Sequence, residues 1–325
     1  MKIRKLSCFD FPKIKRMISY LGTTADAKFV SAFFSFPIDS VNSILPLKLR
    51  FRPESYILLE KNEILGMATI EPTSGNSAKF NITRLIFKKD FYNVGKQLIN
   101  YILSKYGANG ANSFIVYVDQ SHDELCDLFI NGCGFRQCSY ENLWKLDNFA
   151  PATNKVIKFR NAQDSDAKAI ADLYNSELNN LYKSAMERNF KEFKEFFPAG
   201  LNNYYKNRYV LEDNKNIIAY LSITTVDNLN FVIDFSLSDG YSFDYDEIIN
   251  FALSEISGRK KNFTAFLKHR QYAKSADKLE EYLHSRYLNC VQTQCVFVKD
   301  FYKPIKDTEN ILKIFSFSEH QILTN

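Results

Sequence analysis

The sequence predicts an α/β (α+β) fold built twice in one chain, and three observations carry that reading. At 325 residues the chain exceeds the roughly 250 residues at which a single hydrophobic core stops growing. Short strand-like patterns take turns with helix-like ones along most of its length. The order then restarts near position 156 at an almost constant offset: Ile14 and Met17 correspond to Ile170 and Leu173, and Phe135-Arg-Gln-Cys138 to Tyr287-Leu-Asn-Cys290. Such a period marks a duplication. The predicted division is residues 1–147, a linker at 148–155 reading Asn148-Phe-Ala-Pro-Ala-Thr-Asn154, and residues 156–325.

In order, residues 2–6 alternate as a strand, and 10–21 space apolar residues at 11, 14, 17, 18 and 21 as a helix does. Residues 29–53 are apolar but cut by three prolines, which predicts short helical pieces forming a lid or packing over a sheet edge. Residues 56–60 and 64–71 flank Lys61-Asn62 as a hairpin. Residues 79–87 form the next strand, and a basic, aromatic turn leads to a helix with apolar positions 94, 98, 99, 102 and 103. A strand at 113–119 and a helix at 123–131 follow. Gly132-Cys133-Gly134-Phe135 closes that helix with a left-handed glycine, and a strand at 136–146 completes the half. The second half predicts a strand at 156–160, a helix at 164–178, a helical stretch over 181–207 and a hairpin at 208–225. A strand at 230–237, a helix at 246–256, a strand at 263–268, a helix at 274–285 and a last strand at 291–298 complete it.

Composition is that of an ordinary globular protein, 46% hydrophobic and 24% charged. No apolar run nears the roughly 18 residues of a membrane span, and the first residues lack a leader's apolar core. An intracellular, cytoplasmic protein without membrane attachment is therefore expected. The net charge of +5 is spread over lysine-rich faces, which suits a polyanionic ligand or simply a solvated surface. The acidic run from Asp239 to Glu247 argues against a nucleic-acid partner. Six cysteines form no Cys-x-x-Cys pair and the four histidines are scattered, so no metal site is expected.

The unit from Ile82 to Leu103, strand then loop then helix N-terminus, is the kind that seats an anion on free backbone N–H groups. With Ile64-Leu-Gly-Met-Ala68 before it and Gly132-Cys-Gly-Phe135 after it, this unit resembles the coenzyme A site of the GCN5-related N-acetyltransferases (the GNAT superfamily). The resemblance implies two tandem GNAT-like domains, each a mixed, mostly antiparallel twisted sheet flanked by helices. It implies an acyl-CoA-dependent N-acyltransferase that passes an acetyl group from acetyl-CoA, as co-substrate, to a small-molecule or peptide amine by direct attack. The family's phosphate loop, Gln/Arg-x-x-Gly-x-Gly/Ala, falls on Asp90-Phe91-Tyr92-Asn93-Val94-Gly95 and keeps only its last glycine. The implied cofactor contacts are Leu85, Ile86 and Phe87 of the strand, with Asn93, Val94, Gly95 and Lys96 of the loop. Asn93 tolerates the left-handed conformation best among non-glycine residues.

An amine of pKa about 10.4 costs roughly 4–5 kcal/mol to deprotonate at pH 7, so a base is sought. Glu71, at the hairpin end, is the first candidate base, and His122, at a helix start, a stand-in for the general acid that the resemblance implies; the first reads otherwise as a solvated strand residue and the second as a helix cap. The tyrosine that serves the family as general acid falls on Ile130, and in the second half on Tyr282. The second half's corresponding loop, residues 238–246, is acidic and has no glycine at the helix start, which predicts that it does not bind coenzyme A. The alternative reading is a non-catalytic GNAT-fold protein that senses a ligand or serves as an interaction module.

Overall fold

The computed structural model describes residues 1–10, 12–14, 16, 54–73, 78–88, 90–147, 149, 157–194, 205–225 and 227–301. The expected lid at 29–53, most of the linker and the tail beyond 301 lie outside these. Of the predicted first helix, residues 10, 12–14 and 16 are described: Asp10 ends a 3-10 turn, Cys8–Asp10, and 12–14 and 16 are helical.

The strands are β1 (Lys2–Lys5), β2 (Glu54–Glu60), β3 (Glu63–Pro72), β4 (Lys79–Phe87), β5 (Ser113–Asp119) and β6 (Arg136–Lys145) in the first half. In the second they are β7 (Arg160–Asn161), β8 (Tyr205–Asp213), β9 (Asn216–Thr225), β10 (Asn230–Leu237), β11 (Thr264–Arg270) and β12 (Asn289–Asp300). Helix α1 (Phe91–Ala108) joins β4 to β5. Helix α2 (Asp123–Asp127) continues as a π-helical turn, Leu128–Gly132, into β6. Their counterparts are α4 (Tyr245–Arg259) and α5 (Ala276–Ser285), and α3 (Ala167–Glu177) follows β7.

The duplication is visible in chemical detail. Lys61 and Asn62 turn the β2–β3 hairpin with φ of 46° and 68°, and Asn214 and Lys215 turn β8–β9 with 48° and 67°. Two consecutive left-handed residues suit the right-handed twist of the strands they connect. Arg4 grips Asp10 with both guanidinium nitrogens at 2.7 Å, and Arg160 grips Asp166 at 2.7 and 3.0 Å. The same carboxylates accept the backbone N–H of Ser7 and Gln163 at 2.9 and 2.7 Å. Gly134, with φ of 67°, and Tyr287, with φ of 53°, hold the matching turn before β6 and β12.

The twelve strands among the described residues form one sheet, in the order β1-β2-β3-β4-β5-β12-β6-β11-β10-β9-β8-β7. The halves exchange their closing strands. β12 lies antiparallel to β5, with Phe297 opposite Val116, while β6 lies antiparallel to β11, with Trp144 opposite Leu267. β6 and β12 pair with each other at the centre, Cys295 opposite Tyr140. Among the described strand pairs only β4·β5 and β10·β11 are parallel. The architecture is mixed α/β, with a mostly antiparallel sheet flanked by helices.

Alternation along the strands sorts the side chains by face. Phe114 and Val116 of β5 and Phe297 of β12 pack with Leu98, Ile99 and Ile102 of α1. Trp144 of β6, Leu267 of β11 and Ile233 of β10 pack with Ile248, Ile249 and Ala252 of α4. Tyr140, two residues by two before Trp144, packs on the first of these cores, so α1 and α4 cover the same face. Burying each such aliphatic side chain contributes about 1.5–3 kcal/mol. The other face carries Ile115, Val296 and Val298, packed with Ile170 and Tyr174 of α3.

The helical stretch expected over 181–207 is interrupted. A four-residue helix, Lys183–Met186, and a 3-10 turn, Phe190–Phe193, occupy its start, and β8 its end. Asn189 causes the break: its side chain accepts the Lys191 N–H at 3.0 Å while Glu192 accepts the Asn189 N–H at 3.0 Å, which starts a new turn.

Candidate active site

β4 and β5 run parallel and paired from Lys79↔Ser113 to Ile82↔Val116, and then part. On its other side β4 keeps to β3 but slips register, with Thr69 opposite Thr83 and Met67 opposite Ile86. Two residues of β3 therefore span three of β4, a bulge at positions 84–85 that bends β4 away from β5. Beyond the fork, Leu85, Ile86 and Phe87 edge a gap whose other wall is Tyr117 to Asp119. A parting of this kind exposes backbone N–H and C=O groups inside a sheet, where an extended ligand can pair with them.

The gap leads to the N-terminus of α1. The helix begins at Phe91, earlier than the apolar spacing predicts, because Asp90 takes a left-handed turn (φ 45°, ψ 50°) and its carbonyl already accepts the Val94 N–H at 3.0 Å. The amides left free by the helix ladder are thus those of Phe91, Tyr92 and Asn93. Asn93 and Lys96 are exposed, and Asn93 Nδ2 donates to both Asp90 oxygens at 2.9 Å. Lys88 is paired with Glu63.

Val94 and Gly95 are buried, and their surroundings show why small residues stand here. A Cβ at Gly95 would lie 2.6 Å from Leu128 Cδ2 and 3.2 Å from Phe87 Cζ, and one at Gly66 would lie 2.7 Å from Val94 Cγ1. Gly95 therefore serves close packing of α1 on β4 and the π-helical turn, with its φ outside the left-handed region. Phe91 and Tyr92 are half-buried, Phe91 against Phe87 and Tyr92 against Gly132.

The candidate base Glu71 is half-buried near the closed end of the fork and its Oε1 accepts the Thr83 hydroxyl at 3.1 Å. Alternation puts Glu71, Thr83 and Tyr117 on one face, away from α1. His122 is the exposed residue preceding α2 and its side chain makes no capping bond. Ile130, at the position of the family tyrosine, is 39% exposed.

In the second half the corresponding fork is closed by the protein itself. β10 and β11 part after Ile233↔Leu267, but Glu177 of α3 and Arg270 of β11 fill the opening. Glu177 Oε1 accepts the Leu237 N–H at 3.1 Å and the Ser275 hydroxyl at 3.3 Å. Arg270 Nη2 donates to the Phe235 carbonyl and, at 2.9 Å, to Ser236 Oγ, and lies 3.4 Å from Glu177 Oε2. The main-chain groups a ligand would pair with are thereby taken. At the start of α4, Asp244 accepts the Asp246 N–H at 2.8 Å, while the Asp246 carboxylate accepts Tyr282 Oη–H at 2.6 Å and binds Arg286. Carboxylates occupy the place of an anion there. Nothing in the sequence marks Glu177 or Arg270, since each reads as one more charged residue in its element.

No protein-family model matches the chain, and no curated protein matches it in sequence. Its fold does match solved structures. A tandem GNAT protein from the clavulanic acid biosynthesis pathway superposes with a TM-score of 0.60 at 9% identity, over 93% of this chain and 99% of that one. A GCN5-related N-acetyltransferase from Sphaerobacter thermophilus gives 0.55 at 13% identity, over 94% and 96%. One from Anabaena variabilis gives 0.52 at 11%, over 92% and 72%. With the forked strands, the bulge and the duplicated halves, these likenesses show that the chain has the tandem GNAT fold.

Proposed function

We propose that the first half binds acetyl-CoA in the fork between β4 and β5 and passes its acetyl group to an amine. The observation that carries this reading is the parting of the strands after Ile82 and Val116, delivered by the bulge to the free amides of α1. The co-substrate supplies an acyl group activated as a thioester. Leu85, Ile86 and Phe87 offer their backbone along the fork, and Phe91, Tyr92 and Asn93 offer three N–H groups and the positive helix end to a diphosphate. One well-aimed donor to the developing oxyanion is worth about 10²–10³ in rate. Glu71, on the opposite face beside Thr83, is positioned to take the amine's proton directly or through water. The acceptor is a small-molecule or peptide amine, and the protein works in the cytoplasm.

A second reading, a non-catalytic ligand-sensing or interaction module, draws on Ile130 in place of a tyrosine and on Asp90 beside the seat. Calorimetric titration with acetyl-CoA, followed by thiol release over a panel of amines, separates the two. Binding that is lost in Asn93→Trp, with thioester turnover reduced in Glu71→Gln, supports transfer. Binding without turnover supports the second reading, and no heat from the unaltered protein rejects both. Asn93 is the better position for the blocking side chain, because Gly95 has no room even for a methyl group.

A further inference from the structure

On the face away from α1 and α4, the centre of the sheet carries a polar stripe where a helix-covered face is ordinarily apolar. Leu267, Ile233 and Tyr209 fill the core on one side, so alternation turns Lys268, Asp234 and Arg208 to the other. Register makes the stripe continuous: Glu141 stands opposite Arg270, Asp234 opposite Ser222, and Ser222 opposite Arg208. Part of it is satisfied internally. Lys268 Nζ donates to Glu141 at 2.6 Å, and Tyr272 donates to the same carboxylate. Burial raises the Glu141 pKa, but these partners outweigh it and hold the group below the usual carboxylate range.

Other groups over the stripe have capacity left. Tyr174 is 1% exposed, and its hydroxyl has no hydrogen-bond partner among the described residues. Two guanidinium groups lie over its ring, Arg188 Cζ at 4.6 Å and Arg270 Cζ at 4.8 Å from the centroid. Asn175 pins the Arg188 backbone, accepting its N–H and donating to its carbonyl, each at 2.9 Å. The Arg188 guanidinium itself has no hydrogen bond or ion pair among the described residues, and neither has the Lys206 ammonium on β8. Both residues are half-buried. The charged groups facing Lys206 are Arg188, Arg208, Asp234 and Glu192; burial, then the two arginines, pushes its pKa down. Asp234 Oδ1 sits 3.3 Å from Arg270 Nε without hydrogen-bond alignment. Asp234, Glu141 and Glu192 lie within electrostatic reach of Arg188 and favour its charge, but none of them accepts from it, and an incoming oxyanion would take the unused donors of both cations.

We propose that Arg188 and Lys206, with the Tyr174 hydroxyl, hold the oxyanion of a small carboxylate- or phosphate-bearing molecule over the centre of the sheet. Tyr117, just past the point where β4 leaves β5, packs against the same cluster. On the acyl-transfer reading a molecule held there is also the acceptor; that step alone rests on that reading, whereas the oxyanion site does not.

Titrating the full chain with inorganic phosphate and with glutarate, by calorimetry, tests it, and the better probe tells which source supplies the oxyanion. Expected is one site per chain, weakened about tenfold or more in Arg188→Met and in Lys206→Met, with the melting midpoint of the ligand-free variants equal to or above that of the parent. Phosphate or glutarate binding that persists when acetyl-CoA does not bind keeps the oxyanion site and removes only its link to transfer. No heat from either probe, or affinity unchanged in Lys206→Met, overturns the proposal, and that variant decides the matter even if Arg188→Met fails to fold.

Discussion

Asp90 is the residue at which the first half's anion seat departs most from what a diphosphate needs. Its carboxylate is exposed at the head of α1, held by Asn93 within reach of the free amides, and so competes with an incoming anion. Asn keeps the left-handed turn and the shape while removing the charge. Asp90→Asn is expected to tighten acetyl-CoA binding about two- to fivefold, with the gain shrinking as salt is added; a weaker complex would show that Asp90 helps the ligand. The oddity of Asp90 is legible in the sequence. The packing of Gly95 is not, because its need for glycine comes from Leu128 and Phe87, which the chain brings there from 33 residues ahead and 8 behind.

Between elements, β11 is tied to α5 through His269, which is 1% exposed and whose Nε2 lies 3.0 Å from the Ala276 carbonyl. That contact fixes Nε2–H as the donor and leaves Nδ1 buried and unpartnered. Burial, the largest influence, lowers the His269 pKa below its ordinary 6.5. In this window the unfolded chain binds the proton and the folded one does not, so stability falls as pH drops through 6.5 toward the folded-state value. Glu177, raised chiefly by burial, acts in the opposite sense, losing stability as pH rises above the ordinary carboxylate range. Comparing denaturant unfolding of the parent and His269→Gln between pH 7 and pH 5 isolates the histidine: the variant is expected to lose less stability, and parallel curves would refute the assignment. Element by element, the hairpins are legible because Lys61-Asn62 and Asn214-Lys215 are turn formers between alternating strands. The interruption after Met186 is not, since aromatic and charged residues at helical spacing hide the cap at Asn189.

For the whole molecule, the duplication can be read from the repeated spacing, but the strand exchange cannot. Periodicity tells which face of a strand is buried and is silent on which strand lies beside it. Because β12 completes the first half and β6 the second, each half without the other leaves a bare edge at β5 or β11. Residues 1–155 and 156–325, made separately, are expected to be unfolded or aggregated and to recover a 1:1 complex on co-refolding; two stable, non-associating monomers would contradict the exchange. The same exchange lays the fork of the first half, unfilled among the described residues, and the sealed fork of the second into one continuous sheet.

That asymmetry is the core of the account, and the number of acetyl-CoA molecules bound per chain measures it most directly. Calorimetry on the intact protein is expected to give one, seated against Leu85 to Phe87, with the second fork held shut by Glu177 and Arg270. A stoichiometry of two would mean that the ion pair yields to ligand, and a stoichiometry of zero that the open fork is not a coenzyme site.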